Sequence, residues 1–430
     1  MRIYMNDMLY AVSYALDCVE QEFLGARSYH SGRVAYLCVE LGRRCGLADC
    51  DLLALAAAAV LHDNALTEYV SLRQSGREDG GYLPETKASP KDLRVHCELG
   101  ERNVHSLPFY ERIQGAVLYH HENADGSGPY GKLPAATPLF SRLIHLGDHI
   151  DNRFHLDQVD TAKYQRILAY LERHKGQLFD DRLVELFPLV FPAPFAEKLA
   201  GGQARQLLQD SLPHLYRDYD AASVEALAAV FAKIIDYKSH FTCTHSQGIA
   251  KKARDLGAYL GMEPAVQTKL YLAGALHDIG KLTIPNAILE KPDQLTEAEF
   301  EIVKTHALAS WKILSPIDGL EDTARWAAYH HEKLNGQGYP FGLRAADLDR
   351  PERLMACVDI YQALTEARPY KAGFSHEKSM RIMYGMVQNG FIDGEITAAV
   401  DRCFAVQAAP GTENMAVEGE KYERKSTAVL

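Results

Sequence analysis

One ordered set of histidines and aspartates occurs twice in this chain, and that repetition constrains its fold more than any other feature. In the first half His30 is followed by His62-Asp63, His96, His120-His121-Glu122 and Asp148. In the second half the order returns as His245, His277-Asp278, His306, His330-His331-Glu332 and Asp359. His30 to His62 and His245 to His277 are both 32 residues, and His96 to His120 and His306 to His330 are both 24. Such matched intervals identify a tandem duplication of one unit. A length of 430 residues would suit two or three domains; the repeat selects two. The expected division is 1–200, 201–409 and a mobile tail over 410–430, where periodicity is lost.

Each unit reads as helical. Leu55, Ala59 and His62 share a helical face, as do Leu270, Gly274 and His277. A second helix carries His245, Ile249, Ala253, Leu256 and Leu260, with His30, Val34, Leu37 and Leu41 as its counterpart. Thr296 with Glu299 predicts a capping box ahead of His306, and Ser89-Pro90 predicts an N-cap ahead of His96. The prolines between Phe187 and Pro194 are expected to end the first unit's helices, with a further helical stretch leading to Asp218. β alternation is scarce, so the predicted fold class is all-α: two tandem helical bundles.

Composition narrows the function. Apolar residues at 47% and charged residues at 24% exclude wholesale disorder. A net charge of −11 argues against a DNA partner, which would need a basic footprint. An anionic ligand would therefore meet local cations, either metal ions or a few placed Lys and Arg side chains. The eight cysteines form no CxxC pair and read as free thiols of a reducing compartment. No signal peptide stands out, and the longest apolar run, Leu52 to Leu61, is far short of the ~20 residues that span a bilayer. A cytoplasmic protein without membrane insertion is expected.

A single histidine on an apolar helix face is usually a satisfied core residue. So many, joined by aspartates at matching intervals, would be costly to bury without a partner. Divalent metal ions explain them, and mixed imidazole and carboxylate ligands suit Fe, Mn, Zn or Ni better than Ca or Mg. Because Asp278 directly follows His277, one short segment can offer an imidazole and a bridging carboxylate, which is a two-metal arrangement.

Here the second half resembles the HD-GYP phosphodiesterases of the HD superfamily. The motifs are His277-Asp278-Ile279-Gly280-Lys281, Ile284-Pro285, Lys291-Pro292, His330-His331-Glu332, Asn335-Gly336-Gln337-Gly338-Tyr339-Pro340, Asp359 and Arg368-Pro369-Tyr370. The resemblance implies an all-helical fold binding two or three transition metals and hydrolysing cyclic di-GMP to linear pGpG or GMP. It implies one metal on His245, His277, Asp278 and Asp359, and another on Asp278, His306, His330 and His331. Fe or Mn leads, with Zn or Ni as alternatives. The position of a third-metal glutamate is Phe241, so a dinuclear site with pGpG as main product is expected. Two metals would lower the pKa of a bridging water and supply the attacking hydroxide. Asp278 and Lys281 are the implied catalytic pair, Lys281 neutralising a phosphoryl oxygen. Gly338, Tyr339, Arg368 and Lys371 join it as implied substrate contacts, and Glu332 supports the site without ligating. The resemblance also leaves room for contact with a diguanylate cyclase or another signalling protein, and for homo-oligomers.

The first half departs from the pattern. Its His30, His62, Asp63, His96, His120, His121 and Asp148 form a candidate second metal site, yet Leu66 stands where the second half has Lys281. Gly128-Pro129-Tyr130 inverts the Gly-Tyr-Pro order, and no Arg-Pro-Tyr follows Asp148. That half is left as a metal-binding, regulatory or second hydrolytic unit, or a decayed copy. For the whole chain the competing readings are hydrolysis of another cyclic dinucleotide, such as mixed cyclic GMP-AMP, and a metal- and nucleotide-binding scaffold without turnover.

Overall fold

The computed structural model describes residues 1–24, 29–75, 90–192, 198–199, 203–238, 245–291, 293–367 and 372–405. Ser89, Pro194, Phe241, Pro292, Arg368, Pro369, Tyr370, Lys371 and the expected tail over 410–430 lie outside them. The fold is all-α. The first half runs through α1 (Met5–Leu24), α2 (His30–Arg44), α3 (Asp49–Val60), α4 (Leu66–Ser75), α5 (Pro90–Val104), α6 (Tyr110–Ile113), α7 (Leu139–Phe154), α8 (Thr161–Arg173) and α9 (Asp181–Val190). After α10 (Ala204–Ser211), the second half runs through α11 (Ala221–Lys238), α12 (His245–Tyr259), α13 (Pro264–Leu276) and α14 (Asn286–Leu289). It continues with α15 (Glu297–Leu314), α16 (Glu321–Ala328), α17 (Arg350–Thr365), α18 (His376–Gln388) and α19 (Gly394–Phe404). No described helix is long and apolar enough to cross a membrane.

In each half one helix is apolar all round over its C-terminal part, which forms the axis of its bundle. Leu52 through Val60 of α3 are all buried, and so are Leu270 through Leu276 of α13. Each axis delivers its histidine, His62 or His277, at its C-terminal end, and the chain then turns to present Asp63 or Asp278. Four further segments converge on that turn. The N-termini of α2 and α12 bring His30 and His245, and α5 and α15 bring His96 and His306. The turns after α6 and α16 bring the paired histidines, while α7 and α17 bring Asp148 and Asp359. The predicted capping box opens α15, with the Thr296 hydroxyl accepting from Glu299 N and the Glu299 carboxylate accepting from Thr296 N.

One expectation changes. The stretch before Asp218 contains a strand, Tyr216–Asp218, which pairs antiparallel with Arg2–Tyr4 and ties the chain's start to the second half. As expected, the proline-bearing stretch ends the first unit's helices: α9 continues through Pro188 to Val190 and stops at Phe191. Beyond the axis helix of the second half, Lys281 sits in a 3-10 turn, Ile279–Thr283.

The halves interlock through their first helices. Val12, Ala15 and Leu16 of α1 line one apolar cavity with Phe231, Ile234 and Ile235 of α11 and with Ile279 and Leu282 of the second-half turn, against which α1 packs. Burial of side chains of this size stabilises by roughly 1.5–3 kcal/mol apiece. Reciprocally, α11 packs on α4, and Lys233 Nζ lies 2.9 Å from the buried Glu68 carboxylate. The same two helices pin the cage helices: Asp17 Oδ1 accepts from Ser31 N and Oγ, and Asp236 Oδ1 accepts from Ser246 N and Oγ.

The turn after His277 approaches α15 so closely that a Cβ on Gly280 would lie 2.0 Å from the His306 carbonyl oxygen. Gly280 N donates to Ser310 Oγ, which donates to the His277 carbonyl. Gly280→Ala is therefore expected to lower Tm sharply. Gly385→Ala, in α18 where an added Cβ meets nothing within 4 Å, is expected to gain about 0.5–1 kcal/mol. Thermal melts of the two variants check both signs.

Candidate functional site

The backbone decides which way most of the cage histidines point. Nδ1 of His277, His306 and His330 lies 2.8, 2.7 and 2.6 Å from the carbonyl three residues back, that of Gly274, Val303 and Ala327. With Nδ1–H donated there, each ring turns an Nε2 lone pair into the cavity. His306 Nε2 and His330 Nε2 face each other at 3.4 Å. His306 Nε2 is 3.4 Å from Asp278 Oδ1, and His277 Nε2 is 3.0 Å from Asp278 Oδ2. These are acceptors aimed at acceptors. Burial lowers the His306 imidazole to about 4 and the His330 imidazole to about 3, so neither carries the proton that would reconcile them at neutral pH. His277 Nε2 and Asp278 Oδ1 are buried without a hydrogen-bond partner. A buried set of imidazole lone pairs around a carboxylate is the donor chemistry of a transition-metal site.

All seven second-half candidates come together. His245, His277 and Asp359 offer ligand atoms within 4.8 Å of one another, as do His306, His330 and His331, and likewise His277, Asp278 and His330. Asp278 faces both outer groups, one oxygen toward each. Although burial pushes its carboxyl upward, His277, Lys281 and His306 together hold it well below the usual range. Lys281 Nζ donates to Asp278 Oδ2 at 2.5 Å, so the lysine rests on the central carboxylate of the cage. His245 is raised to about 9: burial opposes its charge, but hydrogen bonds to Asp359 and Glu366 outweigh it.

The glycine-rich loop is fastened to the cage by Glu332. Its carboxylate accepts from Phe341 N at 2.7 Å and Leu343 N at 2.9 Å, which gives this residue its role beside the ligands. Gly338 runs so close beneath that a Cβ would meet Glu332 Cα at 2.4 Å. The clamp sets Tyr339 at the mouth, its ring centroid 4.7 Å from His331 and 6.5 Å from His306. His331 keeps 20% of its side chain exposed there. Arg368 and Lys371 fall outside the described residues.

The first half repeats the cage with a different rim. His96, His120 and His121 form one group and His30, His62 and Asp148 another. Asp63 lies between them, Oδ1 2.9 Å from His96 Nε2 and Oδ2 3.7 Å from His62 Nε2. Glu122 clamps its loop through Tyr130 N and Lys132 N. Pro129 occupies the place of Tyr339, Tyr130 packs edge-on against Tyr119, Leu66 is buried, and His121 is only 8% exposed. The residue-pattern reading missed Asp151 and Glu366, which hold His30 and His245 from behind, and Arg33, which grips Asp151. Their signal was helical spacing: Asp151 is one turn beyond Asp148, and Glu366 two turns beyond Asp359.

Comparison with known proteins gives a consistent picture. The HD domain family matches residues 19–183 and 229–396. The chain is 28% identical over 407 residues to 3′3′-cGAMP-specific phosphodiesterase 1 of Vibrio cholerae, covering 93% of this chain and 91% of that protein. It is 32% identical over 177 residues to a cyclic di-GMP phosphodiesterase of Thermotoga maritima, covering 41% and 48%. The crystal structure of a cyclic GMP-AMP specific phosphodiesterase from V. cholerae superposes with a TM-score of 0.64 at 25% identity, over 95% of this chain and 99% of that one.

The cage predicts a stability profile for metal-depleted protein. His306 at about 4 and His330 at about 3, with His120 at about 3 in the first half, stay neutral when folded. They protonate near 6.5 when unfolded, so stability falls as pH drops below about 6.5. His245, raised to about 9, adds stability that is complete below 6.5 and lost as pH rises through 9. Melts after chelation are expected to peak near neutrality and to fall more steeply on the acid side.

Proposed function

Because the chain belongs to the HD domain family, we propose that its second half is a metal-dependent phosphodiesterase acting on a 3′,3′-cyclic dinucleotide. The observation that carries this reading is the buried set of opposed lone pairs around Asp278, flanked by a partly exposed Lys281 and His331. His245, His277, Asp278 and Asp359 would hold one divalent ion, and Asp278, His306, His330 and His331 a second, with Fe or Mn the leading candidates. Bound there, such ions supply Lewis acidity for activating water and neutralising phosphoryl charge.

The chain's own residues do the rest. The backbone carbonyls of Gly274, Val303 and Ala327 keep three imidazoles in one tautomer. Lys281 brings a positive charge to the rim, where a phosphate would enter. Gly338 lets the backbone approach the ligand, and Tyr339 offers an aromatic face to a nucleobase. Arg368 and Lys371 complete the proposal as phosphate or guanine contacts. Hydrolysis adds water across one P–O3′ bond and leaves a 5′-phosphate and a 3′-hydroxyl, so the first product is a linear dinucleotide.

Two substrates are weighed. The relative matching nearly the whole chain, both halves included, is specific for 3′3′-cGAMP, whereas the cyclic di-GMP enzyme matches 41% of the chain. That difference in coverage favours mixed cyclic GMP-AMP over cyclic di-GMP, with pGpG the expected product if the latter is cleaved. In the first half, Leu66, Pro129 and the buried His121 fit a site that holds metal without turning over a dinucleotide.

The test is chromatography of products after incubating Mn-loaded, full-length protein with each cyclic dinucleotide. Asp278→Asn is expected to cost about 100-fold or more in kcat/KM, the scale of a few kcal/mol of transition-state stabilisation. Asp63→Asn is expected to leave turnover within about tenfold, a change of no more than about 1.4 kcal/mol. Turnover abolished by Asp63→Asn and unaffected by Asp278→Asn would reverse the assignment of the halves.

A further inference from the structure

His30 and His245 differ from the other cage histidines in one respect. Each is the first residue of its helix, so no preceding helical turn offers a carbonyl to Nδ1, which is how His277, His306 and His330 are held. In both halves a carboxylate takes the carbonyl's place. Asp151 Oδ2 lies 2.6 Å from His30 Nδ1, and Glu366 Oε2 lies 2.7 Å from His245 Nδ1.

The two carboxylates are not equivalent positions of the repeat. Asp151 stands three residues after Asp148, whereas Glu366 stands seven after Asp359. The position three after Asp359 is Gln362, whose amide donates to Glu366 Oε1 at 3.2 Å and accepts from Lys252 Nζ at 2.7 Å. The facing helix has changed with it. Arg33, three residues after His30, grips both oxygens of Asp151 at 2.7 and 2.8 Å. Its counterpart is Gly248, where a Cβ would lie 2.7 Å from Gln362 Nε2. An Asp–Arg pair in one half thus corresponds to a Gln–Gly pair in the other, and the carboxylate comes from Glu366, four residues on at the C-terminal cap of α17. One chain meets the same demand by two routes, which marks the contact as a requirement of the cage and separates it from incidental packing.

We infer that Glu366 is a positioning residue of the second-half centre, holding the His245 ring so that Nε2 faces Asp359 and the cage, as Asp151 holds His30. A carboxylate behind a ligating imidazole fixes its orientation and raises its basicity toward metal. The inference rests on the reading of the second half as a metal centre. It assigns Glu366 to metal retention, with no contact to substrate.

The experiment is Mn²⁺ binding to full-length protein, measured by competition with a chromophoric chelator, with circular dichroism as the check on folding. Glu366→Ala is expected to weaken Mn²⁺ binding about 10–100-fold. Glu366→Gln, which keeps an acceptor oxygen without the charge, is expected to fall between the two. Adding Gln362→Asp to Glu366→Ala returns a carboxylate to the position that Asp151 holds in the first half, though without the Arg33 partner, and is expected to restore part of the lost affinity, which a merely structural role for Glu366 would not allow. Unchanged affinity in Glu366→Ala, or a loss that the relocated carboxylate does not relieve, overturns the inference. Wild-type protein that takes up no Mn²⁺ sinks the metal-centre reading itself and this inference with it.

Discussion

The structure depends on an electrostatic conflict that its own backbone enforces. Helical carbonyls take the Nδ1 protons of His277, His306 and His330, and this leaves lone pairs pointed at one another and at Asp278 across 3.0–3.4 Å. In water such an arrangement would relax or protonate. Here the rings are buried, packing stops them turning, and burial holds His306 and His330 in the neutral form. A cation is the simplest species that turns those repulsions into bonds. The apolar axis helix, Gly280 and the serine pinned by Asp236 all serve to hold the donors close enough for the conflict to persist.

Duplication allows the fold to be compared with itself. Both halves keep the imidazoles, the central carboxylate, the glutamate clamp on the loop and the aspartate that pins the first cage helix. They part at the rim. The second half has a lysine against the central carboxylate and a tyrosine over the paired histidines, while the first has a buried leucine and a proline. The inner shell is common to both and suits metal binding. The rim is what a phosphate and a nucleobase would meet, so the proposed difference in turnover between the halves rests on the divergence there.

Much of this was legible in the residues because helices convert spacing directly into position. A histidine one or two turns from a run of leucines must lie on the buried face, and an aspartate adjacent to it must face the same cavity. Other contacts were hidden for physical reasons. Glu332 acts on the amides of Phe341 and Leu343, and backbone N–H groups leave no trace in residue identity. Glu366 became visible only beside Gln362 and Gly248, since its role depends on a carboxylate that α17 lacks at Gln362 and an arginine that α12 lacks at Gly248. The strands at Arg2–Tyr4 and Tyr216–Asp218 are three residues each, too short to show alternation. The resting place of Lys281, on Asp278, follows from a 3-10 turn that the helical pattern does not announce.

Anomalous diffraction from Mn-loaded crystals of the full-length protein tests the central claim most directly. The account predicts two anomalous peaks in the second half, one on each side of Asp278, within bonding reach of His277 and His306 respectively. A cage in which the same rings and carboxylates contact only one another, with no anomalous density after loading, would contradict it.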